Sequence, residues 1–145
     1  MNTEATKNNE IDKILYKEIS FKIVGCLYEV FNELGPAHKE YVYHEALSFL
    51  FRERNMSCKS KNRIPIKFKN CPVGIYEPDF IIEDKIILEI KSVLAMPKVF
   101  EKQLYYYLRG TIYKLGYLVN FGSEKIEIKR RVYDEAREKI CGYSR

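Results

Sequence analysis

The sequence contains few of the residues from which metal clusters and disulfide frameworks are usually built. Its 145 residues include two histidines and four cysteines, and the cysteines are scattered without a CxxC pair. This spacing argues against a structural zinc site and against a disulfide framework. We therefore expect reduced cysteines that mostly pack in the core.

Long apolar runs are also missing. No stretch approaches the ~18 consecutive apolar residues that a membrane helix needs, and the polar N-terminus lacks the apolar core of a signal peptide. We expect a cytoplasmic protein without membrane association. With 46% hydrophobic and 31% charged residues, the chain has a globular balance. One domain is expected over residues 14–133, with a polar N-terminal tail over 1–13 and a C-terminal tail or short helix over 134–145.

Acidic residues are almost missing from one stretch of the chain. Between Arg52 and Lys69 there are seven basic residues and one acid, Glu53. A second basic cluster, Lys129-Arg130-Arg131, lies near the C-terminus. Such stretches supply phosphate contacts in nucleic-acid-binding proteins, but they also occur as ordinary solvated faces. Charge alone does not choose between these two interpretations.

Hydrophobic periodicity predicts an alternation of helices and strands. Helices are predicted over residues 10–34, 41–54 and 96–113, and strands over 64–69, 75–82, 85–91, 115–121 and 125–132. Gly35-Pro36 should end the first helix, and Cys71 to Gly74 is predicted to be a turn. The order α-α-β-β-β-α-β-β indicates an α/β (α+β) domain with a mixed central β-sheet flanked by helices.

The strands on either side of Asp84 form a predicted hairpin in which residue numbers that sum to 168 face each other. Three apolar pairs fix this register: Ile82 with Ile86, Ile81 with Ile87, and Phe80 with Leu88. The next pair is Asp79 with Glu89, whose Cβ atoms should lie about 4.5–5.5 Å apart. Lys91 falls on the same face as Glu89 because side chains alternate along a strand.

Opposed carboxylates destabilise a sheet unless a cation lies between them. Mg²⁺ binds to one or two carboxylates together with water and phosphate oxygens, and Lys91 adds a positive charge nearby. Asp79, Glu89 and Lys91 are therefore the residue types needed for metal-assisted phosphodiester hydrolysis. The alternative is a solvent-facing strand on which Lys91 forms a salt bridge with one of the acids.

Pro78-Asp79, followed ten positions later by Glu89-Ile90-Lys91, resembles the signature of the PD-(D/E)xK nuclease superfamily. The segments GPAHKEYVYHEAL, QLYYYL and LVNFG around it resemble the GxxExxY family within that superfamily. The resemblance extends from about Ile14 to Val132 and implies a restriction-endonuclease-like core. It also implies that Asp79 and Glu89 are ligands of Mg²⁺ (or Mn²⁺), that the Ile90 carbonyl is a further metal contact, and that Lys91 is the catalytic lysine.

The same resemblance implies roles for residues outside the hairpin. Glu40 matches the glutamate that names the family and is a candidate for the metal shell, with Glu45 as the second choice. Gln103 and Tyr107 match a QxxxY motif and share one helix face, where they would bind substrate or support the site.

One position departs from the family pattern. The first glycine of GxxExxY is Ala37 here, although Gly35 lies two positions earlier. Alanine is unfavourable where the backbone needs a positive φ, so the loop before Glu40 is expected to differ from the family.

The leading hypothesis is a divalent-metal-dependent nuclease that acts on nucleic acid, with DNA favoured over RNA, and that forms a possible homodimer. A second hypothesis is a catalytically silent nuclease-fold module that binds nucleic acid or a protein partner. A third is an interaction domain with a charged strand face, which would not bind metal.

Overall fold

The computed structural model describes residues 15–134. Its elements, in chain order, are α1 (Lys17–Leu34), α2 (Glu40–Glu53), β1 (Cys58–Ser60), β2 (Ile64–Phe68), β3 (Cys71–Tyr76), β4 (Phe80–Ile82), β5 (Ile86–Lys91), α3 (Lys98–Arg109), β6 (Leu115–Asn120) and β7 (Glu127–Val132). The tail predicted over residues 1–13 lies outside the described residues, as does the tail or short helix predicted over 134–145 apart from its first residue.

The first helix ends where the sequence predicts. Gly35 follows it with φ 73°, and its N–H donates to the Phe31 carbonyl at 2.8 Å, as expected of a glycine that terminates a helix. The helix begins later than predicted, at Lys17, because Tyr16 has a left-handed backbone with φ 51°. Residues 10–14 of the predicted helix lie outside the described part of the chain.

The central sheet is mixed, and its five strands follow the order β1-β4-β5-β6-β7. Strand β5 pairs antiparallel with β4 and parallel with β6, which α3 connects as a crossover. The predicted hairpin register is confirmed by three pairs: Phe80 with Leu88, Ile81 with Ile87, and Ile82 with Ile86. The connection is tight because Glu83 and Asp84 both have positive φ.

Two predictions between residues 71 and 82, a turn over 71–74 and one strand over 75–82, are wrong. The turn is at Lys69-Asn70, where both residues have positive φ, and Cys71 to Gly74 belong to β3. This two-residue turn joins β2 and β3 into a separate two-stranded sheet, as expected when both central residues are left-handed. The segment 75–82 is also two strands, since β3 ends at Tyr76 and β4 begins at Phe80. The short edge strand β1 was not predicted.

Helices cover both faces of the five-stranded sheet. Helices α1 and α2 pack on one face against alternate residues of β5, including Leu88 and Ile90. Helix α3 packs on the other face, where Leu104 and Leu108 contact Ile87. Gly116 allows this close approach, because a Cβ there would lie 2.9 Å from Leu104 Cδ1. Glu89 and Lys91, which alternate with Leu88 and Ile90, therefore point to the α3 side.

No helix within residues 15–134 is long and apolar enough to cross a membrane.

The loop between α1 and α2 contains the alanine that departs from the family pattern. Ala37 has φ 69°, so this position does require the left-handed backbone that favours glycine. A left-handed alanine is strained by roughly 1–2 kcal/mol, which is partly offset because alanine is less flexible than glycine in the unfolded chain.

Ala37→Gly should therefore raise the free energy of unfolding by about 0.5–1 kcal/mol, measured by urea denaturation. Ala46→Gly is the control, because Ala46 lies inside α2, where glycine lowers stability by about 1 kcal/mol. If the two substitutions change stability in the same direction, strain at Ala37 is not the cause.

Candidate active site

Asp79 and Glu89 are held together at the open end of the β4–β5 hairpin, away from its turn. The Asp79 carboxylate accepts a hydrogen bond from the Ile90 N–H at 2.7 Å. The Glu89 carboxylate accepts one from the Asp79 N–H at 3.3 Å. Each acid is thus fixed by backbone from the opposite segment, although the β4–β5 ladder itself ends one position earlier, at the pair of Phe80 with Leu88.

Tyr76 lies behind Glu89 and was not predicted from the sequence. Its hydroxyl donates to Glu89 Oε1 at 2.8 Å, and burial raises the pKa of the Tyr76 hydroxyl, which keeps it a donor. The Tyr107 ring stacks on Tyr76 with centroids 3.7 Å apart. Tyr107 therefore supports the site through Tyr76, and Gln103 is exposed one turn earlier on α3. Their predicted contact with substrate stays a prediction.

Lys91 lies on the same sheet face as Glu89, two residues along β5. Its ammonium lies 4.7 Å from the centroid of the Phe100 ring, a favourable cation–π distance. No salt bridge of Lys91 is present among residues 15–134, although its positive charge opposes the rise in the pKa of Glu89. The lysine is held by an aromatic contact that leaves its donors available.

Glu40 and Asp79 line the same cleft, which has a volume of about 290 Å³. The residues that line it are Glu40, Tyr41, His44, Glu45, Lys61, Asp79 and Ile90. Helix α2 supplies Glu40 and His44 from one face, since they are four residues apart. That spacing could have identified His44 from the sequence as a residue of the cleft. Lys61 lies in an irregular segment before β2, where no periodic pattern indicates which way a side chain points.

Tyr43, the tyrosine of the GxxExxY pattern, fixes the loop that precedes Glu40, the first residue of α2. Its side chain is fully buried and stacks on Phe121 with centroids 4.2 Å apart. Its hydroxyl donates to the Gly35 carbonyl at 2.6 Å and accepts from the His38 N–H at 3.0 Å. The Ala37 N–H also donates to the Phe121 carbonyl at 3.0 Å. This tyrosine therefore orders the entry into α2.

Asn120 anchors the chain immediately after Lys91. The residue is fully buried, and its amide exchanges two hydrogen bonds with the Val93 backbone, each at 3.0 Å. It also accepts from the Gly122 N–H at 2.9 Å and donates to Glu127 at 3.1 Å. Asn120 therefore has a structural role, since it fixes the end of β5 that carries Lys91.

The environment of Glu89 favours its neutral form when no cation is bound. Burial, followed by repulsion from Asp79, raises the pKa of Glu89 from its ordinary value of 4.5 to about 7, although Tyr76 and Lys91 oppose the change. A cation between Asp79 and Glu89 would reverse this shift. A bound cation would therefore stabilise the ionised form of this pair.

The donor set suits a hard divalent cation. Within residues 15–134 no group of three or more His, Cys, Asp or Glu side chains is arranged to hold a metal ion. Glu40 therefore lines the cleft but does not form a three-carboxylate cluster with Asp79 and Glu89. Zinc sites need three or four such side chains. Mg²⁺ needs only one or two carboxylates and keeps several waters, which fits Asp79, Glu89 and the Ile90 carbonyl.

The Tyr43 hydroxyl can be tested alone. Tyr43→Phe should lower the free energy of unfolding by about 1–3 kcal/mol, because it removes two hydrogen bonds in a buried position and leaves their partners unsatisfied. Urea denaturation measures the loss. Tyr41→Phe is the control, since Tyr41 is 67% exposed; an equal loss in both variants would contradict the role assigned to Tyr43.

The raised pKa of Glu89 predicts a pH dependence of stability without metal. A carboxyl group whose pKa is higher in the folded state contributes stability that is complete below pH 4.5 and is lost as the pH rises to about 7. When the pH is raised from 5 to 8 in EDTA, the free energy of unfolding of wild type should therefore fall by about 1–3 kcal/mol more than that of Glu89→Gln. Urea denaturation at both pH values measures this. Exposed Glu124→Gln should behave as wild type, and parallel curves for wild type and Glu89→Gln would refute the assignment.

The chain was compared with known proteins. A family model described as the PD-(D/E)XK nuclease superfamily matches residues 17–131. The chain is similar to a solved structure, the crystal structure of SSO0001, with 22% identity and a TM-score of 0.47 over 89% of this chain and 67% of that chain. No curated protein matches it. The mixed five-stranded sheet flanked by helices is consistent with a restriction-endonuclease-like fold. Because the family model spans most of its length, the chain belongs to the PD-(D/E)XK nuclease superfamily.

Proposed function

We propose that this protein is a divalent-metal-dependent nuclease that acts on DNA. The observation that carries the proposal is the coupled pair of carboxylates, Asp79 and Glu89, with Lys91 on the same sheet face as Glu89. Membership of a nuclease superfamily supports phosphodiester hydrolysis as the reaction. The basic stretch from Arg52 to Lys69 supports a polyanionic substrate.

Asp79 and Glu89 would hold Mg²⁺ or Mn²⁺ with their carboxylates, together with the Ile90 carbonyl. The bound ion would supply Lewis acidity at the scissile phosphate and lower the pKa of the attacking water. Tyr76 keeps Glu89 in place by donating to Oε1. Glu40, at the other side of the cleft, would bind a water molecule in the outer shell of the ion.

Lys91 has the role of stabilising the charge that develops on the phosphate. Its ammonium contacts Phe100, and this aromatic contact limits where the flexible side chain can point. A fixed positive charge beside a partly buried site stabilises a developing anion more than a mobile one does, because it needs no reorganisation during the reaction. Asn120 assists by fixing the backbone after Lys91.

We also propose that the chain is a member of the GxxExxY family. Glu40 and Tyr43 occupy the positions that name the family, and the structure supplies a physical reason for the spacing between Tyr43 and the preceding loop. The tyrosine binds both ends of that loop, which contains the strained Ala37. Alanine at this position preserves the left-handed turn at a cost in stability.

The decisive experiment compares metal binding and cleavage in matched variants. Mg²⁺ or Mn²⁺ should raise the melting temperature of wild type, and both ions should support cleavage in a screen of single-stranded, double-stranded and branched DNA and RNA. Asp79→Asn should remove the thermal shift and lower cleavage at least about 100-fold. Lys91→Met should lower cleavage to a similar extent and keep the thermal shift, because it removes no metal ligand.

The matched control is Asp84→Asn, in the turn of the same hairpin, where the aspartate pairs with Lys59 at the surface. It should cleave as wild type does. If Mg²⁺ and Mn²⁺ leave the melting temperature of wild type unchanged, the proposed metal site is wrong. If the ions bind but no substrate is cut, the protein is a silent binding module instead.

A further inference from the structure

The β2–β3 hairpin is uniformly basic. We refer to residues 61–76 as the basic arm. This segment contains four basic residues and no acid: Lys61, Arg63, Lys67 and Lys69. Nothing within the arm neutralises these charges, and all four basic side chains are exposed. A polyanion is the partner that such a segment attracts most strongly.

The basic arm also exposes apolar side chains along its length. Phe68, Val73 and Ile75 are 64%, 64% and 53% exposed, and Phe68 is the one next to the turn. Ile64 and Ile66, nearer the base of the arm, pack against the apolar cluster beneath α3, and Phe68 follows them on the same face of β2. The base of the arm is therefore fixed to the domain, and Phe68 lies beyond this packed part. The Lys69 ammonium lies 5.6 Å from the centroid of the Phe68 ring, so the charge and the ring are presented together at the tip.

Both ends of the arm are hydrogen-bonded to the two acidic residues of the site, one through backbone and one through a carboxylate. At the start of the arm, the Lys61 N–H donates to the Asp79 carbonyl at 3.2 Å. At its end, the Tyr76 hydroxyl donates to Glu89 at 2.8 Å. A strand of six residues such as β3 extends about 20 Å at ~3.4 Å per residue. That length corresponds to about six base pairs of duplex. Lys61, at the start of the arm, lines the cleft together with Asp79, so a duplex bound along the arm would lie next to the cleft.

We propose that the basic arm binds double-stranded DNA beside the active site, with Lys67 and Lys69 on phosphates and Phe68 against the base pairs. This inference rests on the proposed function, because it gives the nuclease site its substrate. A two-stranded β-ribbon fits the major groove of B-DNA, which is about 12 Å wide. In that groove an apolar side chain such as phenylalanine can contact the methyl group of thymine.

The same features disfavour other nucleic acids. Single strands bind to platforms of several aromatic rings, whereas the arm exposes one aromatic side chain, Phe68. The major groove of duplex RNA is deep and narrow, and side chains do not read it. Lys69 is the first residue of the two-residue turn, whose backbone is left-handed at both positions, and Lys67 lies two residues before it on β2, so their spacing is set by the hairpin. Duplex DNA is therefore the ligand to which the arm is best matched.

Binding of a fluorescein-labelled 24-base-pair DNA tests the proposal, measured by anisotropy in EDTA so that no metal-dependent cleavage occurs. The full-length Lys67→Gln/Lys69→Gln variant should bind about tenfold more weakly or worse at 100 mM salt, and its salt slope should fall by about 2. Lys22→Gln/Lys125→Gln is the control. It removes the same charge from exposed sites outside the arm and should bind as wild type does.

A second variant separates the apolar contact from the charges. Phe68→Ser should weaken duplex binding about tenfold and leave the salt slope unchanged, because it removes no ionic contact. An unchanged melting temperature in these variants establishes that the arm still folds. Equal losses in the arm variant and its lysine control would overturn the proposal. Tighter binding of single-stranded DNA or of duplex RNA than of duplex DNA would also overturn it.

Two results distinguish this inference from the proposed nuclease function. If duplex DNA binds through the arm and is never cut, the proposed role of the arm is supported and the nuclease proposal fails. If DNA is cut with Mg²⁺ and Lys67→Gln/Lys69→Gln has the KM of wild type, the nuclease proposal is supported and the arm fails. If both proposals are right, Lys67→Gln/Lys69→Gln should have a KM about tenfold higher than wild type and nearly the same kcat. The reason is that the arm would bind substrate and transition state equally, so its loss weakens binding without slowing the chemical step.

Discussion

The site depends on a reciprocal pair of hydrogen bonds between two backbone amides and two carboxylates. Asp79 accepts from Ile90 and Glu89 accepts from Asp79, so neither acid can turn away from the other without leaving a polar group unsatisfied. Burial of Glu89, followed by repulsion from Asp79, raises the pKa of the Glu89 carboxyl group. A cation bound between the two acids would oppose this shift, and the surrounding residues hold the acids in the arrangement that produces it.

Two layers of structure support this pair from opposite sides of the sheet. On the α3 side, Tyr107 stacks on Tyr76, which in turn donates to Glu89. On the α1 and α2 side, Tyr43 packs on Phe121 and orders the loop before Glu40. Each layer uses an aromatic ring for packing and a hydroxyl for positioning, a combination that suits tyrosine at the boundary of a core. The abundance of tyrosine in the sequence is explained in part by this use.

The parts of the fold that were predictable are those in which local pattern and tertiary structure agree. The β4–β5 register follows from three apolar pairs across a short turn, and the position of Lys91 follows from the alternation of side chains along β5. The β2–β3 turn was misplaced because Pro72 and Gly74 are typical turn residues, while the actual turn uses Lys69 and Asn70 with positive φ. Tyr76 could not be identified as a residue of the site, because its partners lie on β5 and α3. These elements are distant in sequence, and no local pattern predicts how they pack against Tyr76.

The parallel pairing of β5 with β6 has a consequence for the order of folding. The hairpin that joins Asp79 to Glu89 closes a short loop, whereas Lys91 pairs with Asn120 only after the intervening crossover has folded. Closing the longer segment costs more chain entropy and is the slower event. On these grounds we expect the acids to come together first and the lysine to acquire its anchor last. The expected consequence is a stage of folding at which the two acids are paired while the backbone that follows Lys91 is still free.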